Sequence, residues 1–286
     1  MTRPQARLLL LLVAFLAAWG WPVTKIGLDY FEPLAFMGMR FLAVGLLLIP
    51  FAIRRFDWRA FRASCLIGVV MLISTVLWVL AVARSSELGL AGFVIAAGMV
   101  LSPLYSQWFF GERVGTGFKR RLALALGGGA LMAPDFHLDN FLLFAGAAVA
   151  FGWQITLINH QARGADTVTV GFGQMLTTGA GLLAVSLVVE PVAQFSDATL
   201  DGWLWLGLAG VALTGARFLL QIKAQRGLNH QDSSFILNLE SVFVLAVTAV
   251  IFGETHTWVA LVGAALVFAA AMLSATEKAP GTKKPA

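Results

Sequence analysis

Cysteine is nearly absent. Cys65 is the only one in 286 residues, so no disulfide can form within the chain and no thiolate metal site can be assembled. Charge is scarce as well: 12% of residues are Asp, Glu, Lys or Arg, against 59% hydrophobic. That leaves too little polar surface to keep a soluble chain of this length dispersed in water. No phosphate-binding loop, no HExxH and no Cys-x-x-Cys occurs, which removes the common signatures of nucleotide, zinc and thiol enzymes. Gly179-Ala180-Gly181 with Ala184 fits a loose dinucleotide pattern, but it lies inside an apolar run of spanning length and is chance. His137, His160, His230 and His256 fall in separate loops without ligand spacing. No metal, cofactor or enzymatic activity is expected.

What the chain does have is apolar length. A spanning helix needs about 20 mostly apolar residues. That ruler picks out ten segments, roughly 8–28, 34–53, 64–83, 88–110, 120–134, 140–159, 168–190, 203–223, 232–252 and 257–275. The first, with Arg3 and Arg7 ahead of a leucine run, has a signal-peptide look. Its apolar stretch continues past Trp19 and Trp21 without a small-residue cleavage site, so a retained helix is expected. No loop is long enough to fold alone, and residues 276–286 read as a disordered tail.

The net charge of +5 would point to nucleic acid in a soluble chain. Here it reports topology. With ten spans and the N-terminus in the cytoplasm, sixteen Lys and Arg fall in inside segments and two, Lys25 and Arg84, outside. Arg40 and Arg217 remain within helices. This bias orients a multi-pass protein with both termini cytoplasmic. Asp29, Glu32, Asp135, Asp139, Glu190, Asp197 and Asp201 populate the outer loops.

One stretch, Ser233–Glu254, stands apart because it carries Asn238 and Glu240 inside an apolar run. An acidic residue at the centre of a bilayer costs about 2.5–3.5 kcal/mol on insertion scales and is kept where it meets a partner or a wet cavity. The run ends in Phe252-Gly253-Glu254, and Phe110-Gly111-Glu112 ends another run 142 residues earlier. Trp19-Gly20-Trp21 is echoed by Phe151-Gly152-Trp153, and Arg40 by Gln174. Two five-span modules follow, 1–135 and 136–275. Five is odd, so the second enters the membrane inverted, an arrangement typical of secondary transporters.

On these motifs the chain resembles the drug/metabolite transporter superfamily, its EamA-like branch. Trp19-Gly20 with Lys25, Pro33 with Arg40-Phe41, Gly111-Glu112, and Gly253-Glu254 preceded by Glu240 carry the likeness. Glu240-Ser241-Val242 departs from the usual Glu-Pro-Val, and Pro103 is displaced. The resemblance implies ten helices, with 1, 3, 4, 6, 8 and 9 around a central cavity and 5 and 10 behind them. It also implies export of amino acids or similar metabolites, the aromatic amino-acid exporters being similar in length and tryptophan content.

The residues themselves name candidates. Trp19, Trp21, Pro22 and Lys25 form either an outer gate with a kink at Pro22 or an interfacial belt with a snorkelling lysine. Trp78, Tyr105, Trp153, Gln154 and Asn159 offer rings and hydrogen bonds to a cavity, with Pro103 as a second kink; lipid-facing rings and interhelical bonds are the alternative. Arg217 and Glu240 lie at matched depth, with Gln221 on the Arg217 face and Asn238 and Ser241 beside Glu240. They read as guards of the inner path or as a structural ion pair. Arg40 is expected near the outer surface, paired with Asp29 or Glu32. Glu112 and Glu254 are expected to fix loop geometry. Small residues Ala125, Gly129, Ala133, Ala265 and Ala269 read as scaffold or as a dimer seam.

Taken together, the chain reads as an all-helical exporter of aromatic or hydrophobic amino acids in a bacterial inner membrane, monomeric or dimeric. Other solutes of the same superfamily (drugs, purines, nucleotide sugars) are the alternative; a channel or membrane enzyme is a further one. Without an ATP-binding element, the driving force is the solute gradient or a coupled ion. Glu240 admits proton antiport, whereas a salt pair with Arg217 favours facilitated diffusion. Nucleic-acid binding is not expected.

Overall fold

The computed structural model describes residues 1–85, 88–99, 101–112, 114, 117–131, 138–161, 165–191, 198–207, 213–228 and 230–276. His137, Ala133, Asp135, Asp197 and nearly all of the 276–286 tail lie outside them. Every regular element among the described residues is helical. In chain order these are α1 (Arg3–Gly27), α2 (Pro33–Ala52), α3 (Trp58–Arg84), α4 (Gly89–Met99), α5 (Ser102–Phe110), α6 (Phe118–Leu131) and α7 (Leu138–Gln161). They continue with α8 (Thr167–Val189), α9 (Leu200–Gly207), α10 (Ala216–Gln225), α11 (His230–Leu237), α12 (Leu239–Phe252) and α13 (Trp258–Thr276). A short 3-10 turn, Ile53–Arg55, links α2 to α3. Helices α1, α2, α3, α7 and α8 are each long and apolar enough to cross a membrane.

Local chemistry sets the ends. The amide of Thr2 takes the Gln5 side chain at 2.9 Å in a capping box before α1. Asp57 accepts the amide of Arg59 to start α3, and Asp166 those of Val168 and Thr169 to start α8. The duplicated Phe-Gly-Glu triplets close α5 and α12 alike. Gly111 at φ 66° and Gly253 at φ 67° both adopt the left-handed turn that side-chain-bearing residues disfavour.

Two expected spans are each broken into two helices. The segment 88–110 separates into α4 and α5 around Leu101, and Pro103 lies in the first turn of α5. There its missing amide costs nothing, so it begins a helix rather than kinking one. The segment 232–252 separates at Asn238, where Ser241 N bonds back to the Asn238 carbonyl at 3.3 Å. By contrast α1 stays helical through Pro22. A π-helical turn over 213–215 precedes α10.

Packing pairs the two halves. Helix α2 lies on α8, α6 on α13, and α4 on α12. Helix α1 packs on α10, α11 and α12, while α7 packs on α3, α4 and α5. Glycines permit the closest contact: a Cβ on Gly45 of α2 would come within 2.9 Å of the Leu176 amide nitrogen of α8. Likewise a Cβ on Gly128 of α6 would meet the Gly263 carbonyl of α13 at 2.6 Å. The small-residue faces of α6 and α13 therefore meet within one chain. Ala125, Gly128 and Gly129 are buried, whereas Ala265 is exposed, because the α13 face in use runs through Gly263, Ala264 and Val267. Outward, large apolar side chains such as Leu47, Ile73, Val188 and Val250 are exposed, as a surface bathed by acyl chains requires.

Carboxylates fasten the halves at helix starts. Glu190, after α8, accepts the Leu34 and Ala35 amides of α2 at 2.8 and 2.9 Å. Glu254, after α12, accepts the Leu88 and Gly89 amides at the start of α4 at 3.0 and 3.1 Å, and the Thr248 hydroxyl at 2.7 Å. Both place negative charge on the positive end of a helix dipole. The histidines do not all fall in loops: His160 is in the last turn of α7, 3.5 Å from the Glu112 carboxylate and stacked on Phe110.

A polar cavity between α1, α2, α3, α10 and α12

Three helices of the first half converge with α10 and α12 of the second around a cavity holding ≈ 580 Å³ of empty space, its open mouth included. Ala17, Gly20 and Trp21 face it from α1, Met37, Arg40 and Phe41 from α2, and Met71, Thr75 and Trp78 from α3. Arg217 and Phe218 of α10 and Glu240 of α12 close the far side, with Ile95 and Phe151 completing the wall. An apolar, aromatic lining with a few convergent charged groups is the make-up of a small-molecule site.

Glu240 is the junction. One carboxylate oxygen accepts the Trp21 indole N–H at 3.0 Å, and the other lies 3.6 Å from an Arg217 guanidinium nitrogen. The ring of Trp21 stands edge-on to Trp78, centroids 5.1 Å apart at 87°, and is backed by Phe144. Arg217 also lies over the Phe218 ring, 4.8 Å from its centroid, a cation–π contact. Both side chains of the ion pair are mostly buried, at 23% and 13% exposure.

Arg40 is not at the outer rim. It lies about two turns into α2, ~10 Å along the axis at ~1.5 Å per residue, and only 4% of it is exposed. Its guanidinium donates to the hydroxyls of Thr24, at 2.9 Å, and Thr214. Neither Asp29 nor Glu32 pairs with it. The cause is phase: Met37, Arg40, Phe41, Val44 and Leu48 form one buried face of α2 turned toward α1 and α10, whereas the two acids precede the helix. Thr214 reaches it from the π turn, a distortion frequent at functional sites.

Of the residues singled out in the sequence, Trp21, Trp78, Arg217 and Glu240 meet at this cavity. Trp19 does not; it is 38% exposed, since two helical positions separate side chains by ~200° and Trp19 and Trp21 cannot share a face. Lys25 gives its ammonium to the Val82 and Ser85 carbonyls, at 3.2 and 2.9 Å, ending α3. Tyr105 and Trp153 meet edge to face at 5.7 Å in a separate aromatic cluster with Phe109. Gln154, Asn159, Gln221, Asn238 and Ser241 are all buried away from the cavity. The Ser241 hydroxyl turns back to the Asn238 carbonyl at 2.7 Å. Gln174 donates to the Met71 sulfur at 2.9 Å, behind the wall.

A second feature lies on α10 and the α11–α12 break. The Asn238 amide nitrogen and oxygen, the Gln221 and Gln225 oxygens and the Ser233 hydroxyl are buried without a hydrogen-bond partner. Buried polar groups are as a rule hydrogen-bonded; similar atoms of Gln154, Gln174 and Ser186 lie elsewhere in the fold. Among the described residues no group of His, Cys, Asp or Glu is arranged to hold a metal.

Comparison with known proteins agrees in one direction. The EamA-like transporter family matches the chain twice, over residues 5–133 and 140–276. A protein described as an uncharacterized transporter from Archaeoglobus fulgidus is 26% identical over 281 residues, covering 95% of this chain and 86% of that one. A solved crystal structure superimposes with a TM-score of 0.71 over 96% of this chain and 98% of its own, at 19% identity. That last likeness concerns the fold alone.

Proposed function

The chain belongs to the EamA-like transporter family, a multi-pass membrane protein, and from that premise we propose that it exports amino acids, aromatic or hydrophobic ones first, by alternating access. The observation that carries the reading is the cavity itself: crossed indoles of Trp21 and Trp78 beside the Arg217–Glu240 pair. The rings receive an apolar side chain, and the charges orient a polar head. Acceptance of a broad set of aromatic and branched side chains follows from a wall so poor in directional donors.

Two modules, 1–135 and 136–275, inserted in opposite senses, supply the motion. Support comes from the double family match and from the packing, in which α1 on α10–α12 corresponds to α7 on α3–α5. Broken helices at corresponding places, α4–α5 and α11–α12, are the pattern found where transporters bind solute. The buried amides of Gln221, Gln225 and Asn238 form the closed inner half of the path in this reading, exposed when the carrier turns inward. The Lys and Arg bias supports a reading with both termini in the cytoplasm. Glu240 already serves two donors, the Trp21 indole and Arg217, which supports facilitated diffusion over proton antiport.

Counterflow in proteoliposomes preloaded with unlabelled amino acids, with and without a pH gradient, tests this. Labelled phenylalanine, tryptophan and leucine should accumulate above empty liposomes, with little response to the gradient. Exchange of a purine or nucleotide sugar with none of the amino acids would overturn it.

A further inference from the structure

The cavity carries two cations and one anion: Arg40, Arg217 and Glu240 are its charged lining residues. Glu240 is committed to Arg217 and to the Trp21 indole. Arg40 is left with neutral partners, the hydroxyls of Thr24 and Thr214, and no carboxylate among the described residues is bonded to it. A guanidinium 4% exposed within a membrane-spanning helix, with no such counter-charge, is costly to hold. A carrier holds such a group where a ligand supplies the missing charge. Space for that ligand exists beside it. A Cβ placed on Gly20 would stand 3.7 Å from the Arg40 guanidinium nitrogen that bonds neither threonine, so the glycine opens the approach.

We propose that Arg40 binds the carboxylate of the solute, and that the cavity recognises the class of hydrophobic carboxylates by their acid group alone, the ammonium adding nothing. The inference rests on the export reading above and sharpens it. Guanidinium and carboxylate match as planar, bidentate partners, and a monoanion brings the lining to neutrality. The ammonium of an amino acid would need a free acid, and the single acid present is taken. Thr24 and Thr214 hold the guanidinium in place from α1 and the turn before α10, so carboxylate binding draws on contacts with both halves.

The experiment uses three probes of one shape: phenylalanine, 3-phenylpropanoate and 2-phenylethylamine. Each competes against labelled phenylalanine in counterflow, and each is titrated directly by tryptophan fluorescence of the purified full chain. 3-Phenylpropanoate is expected to compete at least as well as phenylalanine, and 2-phenylethylamine not at all. Arg40→Gln, which keeps a donor near the Nε position that bonds Thr214, should weaken 3-phenylpropanoate about tenfold or more, with Arg40→Lys recovering part of it. Competition by the amine but not the acid overturns the proposal. So does unchanged acid binding in Arg40→Gln, which would leave Arg40 a cross-link between helices. Should Arg40→Gln fail to fold, the wild-type probe series and Arg40→Lys decide alone. If labelled phenylalanine is not carried at all, the amino-acid reading fails, while the fluorescence titration of the acid still decides the role of Arg40.

Discussion

Glu240 holds two donors from two helices, and its removal separates charge balance from solute handling. Glu240→Gln leaves Arg217 buried without its counter-charge, a change worth about 3–5 kcal/mol of stability. Arg217→Gln combined with Glu240→Gln removes both charges and should recover much of that loss, read as the midpoint of thermal unfolding in detergent. Transport should stay low in the double variant; full transport there would make the pair purely structural. The sequence made this pair legible, because an acid and a base at similar depth in adjacent spans have few other partners. Arg40 lies deeper than an outer-surface pairing with Asp29 or Glu32 allows. Its true setting was nonetheless readable from Met37, Arg40, Phe41 and Val44, which recur at the spacing of a single buried helical face. Trp19 and Trp21 stand side by side in sequence, yet angular position on the helix turns only the Trp21 indole inward.

At the scale of elements, the intimate contact of α2 with α8 rests on glycine. Gly45→Val would drive side-chain atoms into the Leu176 backbone, 2.9 Å from where the first added carbon sits. Overpacking of this kind costs about 1–3 kcal/mol, and thermal unfolding should register it, whereas the same change at Gly127, which faces open space, should be milder. The apolar runs that become α1, α2, α3, α7 and α8 were visible in hydropathy, since acyl chains demand long apolar segments. The interruptions at Leu101 and Asn238 were not, because a helix can break without losing apolar character. Pro103 did signal the first, yet a proline reads equally as a kink or as an opening turn until the preceding residues are placed.

For the whole molecule, duplication was legible in a few echoed triplets and is reflected in the matched packing of the halves. The burial of Gln225 and Asn238, at 1% exposure each, was not, since it depends on contacts between halves. The sole cysteine makes this testable. In a Cys65→Ser background, Gln225→Cys should resist a membrane-impermeant maleimide at rest and react from the cytoplasmic side when solute drives turnover. Rapid labelling at rest would mean that the segment is already wet.

Glu190 and Glu254 belong to the C-terminal module, yet the amides they satisfy open helices of the N-terminal one. The N-terminal module therefore relies on its partner to complete the starts of α2 and α4. A chain severed between 131 and 138 would yield two fragments that survive only by finding each other.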